Sequence, residues 1–405
     1  MTNPPIPENA NALTAEWMRQ ALGAGGPSGF PAVKDVAVEN IGAGSGSLSE
    51  TVRCAMTYHD DAAQAPESVV VKLASPDRNT ARMARALSLY KREYLVYDQL
   101  APHIRIALPA LLYGDFEEGS QRFVMVLEDL RGMENPDQIA GADAAQAGHA
   151  IRSAAGLHGQ FWNKLEQPPL SDFFTRVGPQ KVWLTQLAYL VCLAPCLKRF
   201  GHLFSPRTRR LAEALGSRLF DYTRDSTNGP KTLTHGDFRL DNMFFGAADS
   251  DALTMIDWQG AGFIAGGLYD VSYFMATSVP TDLRRRIERE VLEEYHGIVC
   301  GMGAKEFGFE ECWRSYRLNM LGALMPCVVG SGGLDLTDQR RRKMFETMLS
   351  RTLAAIEDLD ADELLPARSR FPSPIYFSSI LSAGAYRTYG VLYRLSKTWR
   401  RAAST

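Results

Sequence analysis

His235-Gly236-Asp237-Phe238-Arg239-Leu240-Asp241-Asn242, followed by Ile256-Asp257-Trp258, is the stretch on which the reading of this 405-residue chain turns. Between Asn242 and Asp257 lie two short apolar runs, Asn242 to Phe245 and Ala252 to Ile256, separated by the turn-forming residues Gly246 to Asp251. This pattern predicts a β-hairpin. A turn centred between Asp249 and Ser250 sets Asn242 opposite Asp257. An amide oxygen and a carboxylate brought together are hard ligands suited to Mg²⁺, which keeps waters and shares the rest of its shell with substrate phosphates. Asp237, five residues before Asn242, falls in the loop feeding the same place and is free to act as a base.

These residues resemble the kinase-like fold of the aminoglycoside phosphotransferase and choline kinase superfamily, whose signature is HGDxxxxN with a metal-binding Asp after a hairpin. Asp257-Trp258-Gln259 and Gly267-Leu268-Tyr269-Asp270-Val271-Ser272-Tyr273-Phe274 look most like the ecdysteroid kinase-like branch and its bacterial relatives. The resemblance implies ATP and Mg²⁺ as cofactors, Asp237 as catalytic base toward a substrate hydroxyl, and Asn242 and Asp257 as the metal ligands. It also puts Arg239 where protein kinases often carry a lysine near the transferred phosphate, although an ion-pairing or surface role fits that residue equally. His235 is expected to brace the catalytic loop and Asp270 to fix it by hydrogen bonds. His149 and His158, on a helical pattern, read as packed or solvated helix residues.

Upstream, Val69-Val70-Val71-Lys72-Leu73 places one lysine in an otherwise apolar strand, where an ammonium needs a partner. Helix positions 86, 89, 93, 96 and 100 are Ala, Leu, Glu, Val and Leu, so Glu93 alone interrupts an apolar stripe. The two are expected to pair, as the strand-Lys and helix-Glu pair that orients nucleotide phosphates in kinases does. The alternative is a purely structural buried ion pair. Gly42 to Ser47 is followed by strand-like residues rather than a helix, which suits a glycine-rich hairpin over phosphates. Gly44, Gly46, Ser47 and Leu48 are the candidate N–H donors, against the alternative of an ordinary hairpin turn. No Gly-Lys-Ser/Thr closes this segment, so it is no Walker loop. Glu128 and Leu130, at the end of the last N-terminal strand, occupy the hinge of the resembled family, where backbone groups would meet the adenine edge.

Five strand-like segments (33–41, 51–59, 68–74, 107–115 and 121–129) and one long helix (79–100) precede residue 130, and the first three strands are joined by links short enough to require antiparallel pairing. A short helix, Thr14 to Leu22, with Thr14 as N-cap, follows a Pro-rich leader. Beyond residue 130 apolar helical faces recur near 143–165, 180–199, 206–224, 281–300, 309–329 and 338–358. The expected fold is therefore α+β and protein-kinase-like: a small antiparallel N-lobe (1–130, with 1–30 a leader and extra helix) and a larger, mainly helical C-lobe (131–405).

Composition agrees with a soluble globular protein. Apolar residues form 45% and charged residues 22% of the chain, which excludes pervasive disorder. With 44 Lys+Arg against 46 Asp+Glu, net charge -2, nothing favours a nucleic-acid partner. The N-terminus has no signal peptide, no apolar run reaches bilayer length, and six scattered Cys read as reduced core thiols, so a cytoplasmic protein is expected. The leading function is an ATP- and Mg²⁺-dependent phosphotransferase acting on a small-molecule alcohol. Only 12 residues separate Asp257 from Asp270, too few for the activation loop of a peptide kinase. A scaffold pseudokinase would normally lack one of Lys72, Glu93, Asp237, Asn242 and Asp257. Trp183–Leu197 and Trp313–Val329, apolar and free of acids, suggest an apolar acceptor pocket, the alternative being core helices. The basic, aromatic tail from Pro366 onward is a further candidate for contact with substrate, a partner or a membrane surface.

Overall fold

The structure, a computed structural model, describes residues 3–26, 30–41, 48–59, 65–177, 182–246, 252–262 and 267–367. Gly44, Gly46, Ser47 and the tail beyond residue 367 lie outside these residues. Helix α1 (Ala15–Gly25) starts where the Thr14 hydroxyl accepts the Trp17 N–H at 3.2 Å. Strands β1 (Val33–Asn40), β2 (Ser49–Tyr58) and β3 (Ser68–Ala74) precede helices α2 (Arg78–Ala86) and α3 (Leu89–Leu95), and β4 (Leu111–Glu117) and β5 (Arg122–Glu128) complete a five-stranded sheet. Its order is β1-β2-β3-β5-β4, with every pairing antiparallel.

The period-2 alternation of strands sorts the side chains of this sheet onto two faces. Val69, Val71 and Leu73 of β3 and Val124 and Val126 of β5 face outward into a small core closed by Trp17, Met18, Ala21 and Leu22 of α1. Helix α1 packs on both β1 and β4, the two edge strands, and so spans the sheet from side to side. Phe123, Met125 and Leu127 of β5 face the other way and join Leu89, Tyr90, Leu95 and Val96 in a large core that runs into the C-lobe. Lys72 falls on this inner face because it sits between Val71 and Leu73.

The helix expected over 79–100 is broken. Ser88 has φ 55°, in the left-handed region, and separates α2 from α3; after Leu95 the chain widens into a π-helical turn, Val96–Leu100. No glycine marks the break, so periodicity runs across it unbroken.

The C-lobe contains α4 (Ala144–Gln160), opened by a capping box between Asp143 and Gln146, then α5 (Leu170–Val177), α6 (Val182–Phe200) and α7 (Pro206–Ser226). A hairpin of β6 (Met243–Phe245) and β7 (Leu253–Met255) leads to α8 (Leu268–Thr277), α9 (Thr281–Gly301), α10 (Phe309–Gly333) and α11 (Gln339–Asp358). Helices α5 and α8 were not expected; every residue of α8 is buried, so no amphipathic period exists to reveal it. Much of Trp313–Val329 is buried, and α10 packs on α6, α8 and α11, which places that apolar segment in the helical core rather than on an acceptor wall. No helix among the described residues is long and apolar enough to cross a membrane.

Candidate active site

A cleft of about 540 Å³ between the lobes is lined by Lys72 from β3, Leu127 to Arg131 from the strand end and linker, and Arg239, Asp241, Asn242 and Asp257 from the C-lobe. Lys72 is 6% exposed and Glu93 1%, so the pair expected from the broken apolar patterns must form to survive burial. It does: Lys72 Nζ donates to Glu93 Oε1 at 2.6 Å and contacts Asp257 as well. Burial alone would depress the Lys72 ammonium, but the Asp257 and Glu93 carboxylates outweigh it and hold its pKa above the ordinary value. Burial raises the Glu93 carboxyl in spite of Lys72, whereas at Asp257 the Lys72 charge prevails over burial and the carboxyl is held low.

The hairpin register corrects one expectation. Met243 pairs with Met255 and Phe245 with Leu253, a register centred half a residue earlier than expected, so Ile256 stands opposite Asn242 and donates its N–H to the Asn242 carbonyl at 3.0 Å. In a strand this slip would send Asp257 to the wrong face. The chain compensates immediately beyond β7. Asp257 adopts φ 62° and ψ 53°, a left-handed conformation that re-aims its carboxylate toward Lys72 and the cleft.

Asn242 Nδ2 donates to the Asp237 carbonyl at 2.9 Å and to Asp237 Oδ2 at 3.0 Å, tying the expected base to the expected metal ligand and leaving the amide oxygen Oδ1 as a donor for a cation. Arg239 bridges Asp237 at 3.2 Å and Asp241 at 2.5 Å. Burial opposes its charge, but Asp237 and Asp241 hold the guanidinium above its ordinary pKa. Among the described residues no three His, Cys, Asp or Glu form a closed metal cage. One amide oxygen and one carboxylate facing a cleft fit Mg²⁺, which takes few protein ligands and completes its shell with water and phosphate oxygens.

The loop that carries Asp237 is fixed from beneath. Asp270 accepts the N–H of His235 at 2.7 Å and of Gly236 at 2.9 Å, and its carboxylate also meets His158 Nε2 at 3.2 Å. His158 is fully buried and its Nδ1 meets the Tyr295 hydroxyl at 3.0 Å, while His149 stacks edge-on to Phe245. Burial lowers the pKa of His235 and favours the neutral ring: Nε2 donates to the Ile256 carbonyl at 2.9 Å, and Nδ1 accepts the Asp237 N–H at 3.2 Å. His235 thereby clips the loop that carries Asp237 to the hairpin end.

At the linker, the Glu128 N–H donates to Ala110 O at 2.9 Å and the Leu130 carbonyl accepts from the Met133 N–H at 2.9 Å, so these two of the backbone groups expected at a hinge are already engaged. Leu48, the one described member of the glycine-loop set, has its carbonyl bound by the Tyr90 hydroxyl at 2.7 Å. Sequence reasoning missed Asp129, which is buried in this linker. Burial would raise its carboxyl, but hydrogen bonds from Arg53, Ser68 and Arg131 hold it at about 2. It also missed Arg340, which reaches the cleft from α11 and pairs with Asp137 at 2.7 Å.

Residues 43–300 match the ecdysteroid kinase-like family. The chain belongs to that family. The resemblance read from His235–Asn242 and Asp257 is thus borne out, and the ecdysteroid kinase-like chain has the kinase-like fold. Choline kinase from Cryptosporidium parvum superposes with a TM-score of 0.51 at 10% identity, covering 82% of this chain and 92% of its own. Plasmodium vivax ethanolamine kinase gives a TM-score of 0.46 at 12% identity, with 85% and 83% covered. An ADP-bound aminoglycoside phosphotransferase gives 0.39 at 14% identity, with 79% and 95% covered. No curated protein sequence matches the chain.

Proposed function

We propose that this protein is an ATP- and Mg²⁺-dependent phosphotransferase that moves the γ-phosphate to a hydroxyl of a small molecule. The observation that carries this reading is the meeting of Lys72 with both Glu93 and Asp257 at the cleft, which joins the N-lobe lysine to the C-lobe metal ligand. Asp237 accepts the proton of the acceptor hydroxyl. Asn242 and Arg239 orient it through the contacts described above, and Asn242 Oδ1 and Asp257 hold the metal. When bound, Mg²⁺ neutralises charge on the β- and γ-phosphate oxygens. The hinge carbonyl of Glu128 and N–H of Leu130 receive the adenine edge, and Gly44, Gly46, Ser47 and Leu48 cover the phosphates.

The acceptor is read as an uncharged or anionic, largely apolar alcohol. Phe173 and Phe174, packed beside Gly262 close to the catalytic loop, support an apolar neighbour for Asp237. Only ten residues separate Asp257 from the start of α8 at Leu268, which supports a small molecule over a peptide substrate. All six thiols are unpaired, as a reducing cytoplasm would keep them.

Calorimetric titration with ATP tests the reading: affinity is expected to rise on addition of Mg²⁺ in the wild type and not in Asp257→Ala. An ATP-consumption panel of aminoglycosides, choline, sugars and terpenoid or sterol alcohols identifies the acceptor. On that acceptor Asp237→Asn is expected to keep nucleotide binding and lose about 10²–10⁴-fold in turnover. Metal-independent ATP binding, or wild-type turnover by Asp237→Asn, would sink the assignment. Binding of Mg²⁺-ATP without consumption of any alcohol would instead mark a pseudokinase.

A further inference from the structure

Tyr97 is the unexplained polar group of the cleft. It is the second residue of the π-helical turn Val96–Leu100 that continues α3, four residues after Glu93. Its side chain is 3% exposed and lines the cleft together with Lys72 and Asp257, yet its hydroxyl meets no hydrogen-bond partner among the described residues. A buried hydroxyl left unmatched is destabilising, so phenylalanine would serve the nucleotide-free protein better. Single π turns cluster at functional sites because they re-aim side chains within a helix. Burial, with the Glu93 and Asp257 charges adding to it, keeps the phenol protonated and therefore a donor. Helix α3 also packs directly on the Trp258–Gly260 turn that follows Asp257. Both neighbouring carboxylates are engaged here by the one Lys72 ammonium.

We propose that Tyr97 is a positioning residue for the metal-binding carboxylate: when Lys72 turns to the nucleotide phosphates and releases Asp257, the Tyr97 hydroxyl donates its hydrogen bond to the freed carboxylate. This rests on the phosphotransferase reading above. Carboxylates that ligate metals are themselves held by hydrogen bonds, and loss of such a partner typically lowers metal affinity 10–100-fold. The hydroxyl thus has no partner in the Lys72-bound arrangement and acquires one in the metal-bound arrangement.

The test is the isosteric variant Tyr97→Phe, with Mg²⁺ titrated into the protein bound to a non-hydrolysable ATP analogue. Nucleotide-free Tyr97→Phe is expected to melt at or above the wild-type temperature and to bind the analogue normally without metal. Its Mg²⁺ affinity in the analogue complex is expected to fall about tenfold. Unchanged Mg²⁺ affinity overturns the proposal. So does a lower melting temperature without ligand combined with an undiminished gain on adding Mg²⁺ and analogue, the signature of a merely structural tyrosine. If wild type itself shows no Mg²⁺-dependent binding, the phosphotransferase reading fails and takes this proposal with it. Mg²⁺-dependent binding abolished by Asp257→Ala but indifferent to Tyr97→Phe removes the tyrosine alone.

Discussion

Replacing Gly236 with alanine is expected to separate the two halves of the site without touching a polar group. Gly236 has φ +83°, and a Cβ there would lie 2.2 Å from the Gly260 carbonyl oxygen and 2.7 Å from its carbon. Contacts below 3.0 Å are not sustained between such atoms, so one of the two backbones must retreat by about 0.8 Å. Neither backbone is a free end. Gly236 is held by Asp270 and precedes Asp237, while Gly260 belongs to the turn that begins beside Asp257. The left-handed alanine adds about 1–2 kcal/mol of strain. A displacement near 1 Å between reacting groups costs about 10²-fold in rate. Gly236→Ala should therefore turn over the acceptor about 10²-fold more slowly, with metal-free nucleotide affinity within a few-fold of wild type and a denaturation midpoint lowered by the strain. Gly260→Ala provides the scale: its Cβ would meet the His235 carbonyl at 2.9 Å, a retreat of only about 0.1 Å, so its loss should be much smaller. Steady-state kinetics on the identified acceptor, with urea denaturation run beside them, measures both. A folded Gly236→Ala enzyme with wild-type turnover, or one less impaired than Gly260→Ala, would refute the close-approach argument.

Lys72→Met leaves Glu93 buried without its cation, a change that typically costs about 3–5 kcal/mol. Because burial already raises the Glu93 carboxyl, the variant's deficit should be greatest at neutral pH and shrink as pH falls and the acid takes its proton; urea midpoints at pH 5 and 7 check this, and turnover should drop as well. Asp129, held at about 2 against an ordinary 3.8, contributes stability that is present above pH 3.8 and lost as pH falls through 2. Acid titration followed by tryptophan fluorescence should show up to about 2 kcal/mol of this pH dependence missing from Asp129→Asn.

What could be read from the sequence was what broke a pattern. Lys72 in an apolar strand and Glu93 in an apolar stripe each contradicted their surroundings, and the contradiction pointed at the partner. The antiparallel order of the first three strands followed from link length alone. The hairpin register failed by one residue because the turn offered several turn-forming residues and no single dominant pair to centre it. Recovery of Asp257 by a left-handed backbone is a tertiary solution that side-chain alternation does not encode. Ser88, a residue with little left-handed preference, breaks a helix that periodicity carries straight through, and α8 is buried on all sides. Asp129 and Tyr97 share a further reason for being missed: a buried carboxylate in a linker and an unsatisfied phenol in a helix are defined by neighbours far away in the chain.

The division of the apolar residues into two cores has a mechanical meaning. Among the fully buried strand residues of the sheet, those of β5 alone divide between both, Val124 and Val126 going to the core sealed by α1 and Phe123, Met125 and Leu127 to the one shared with the C-lobe. A motion that widens the cleft therefore slides contacts of the shared core only, and the sealed core rides along undisturbed. The sheet and α1 travel as one stiff cassette with β5 as its keel. Amide hydrogen exchange should accordingly be slowest along β5, and the edge strand β1 should open in local fluctuations that leave the interlobe hinge untouched.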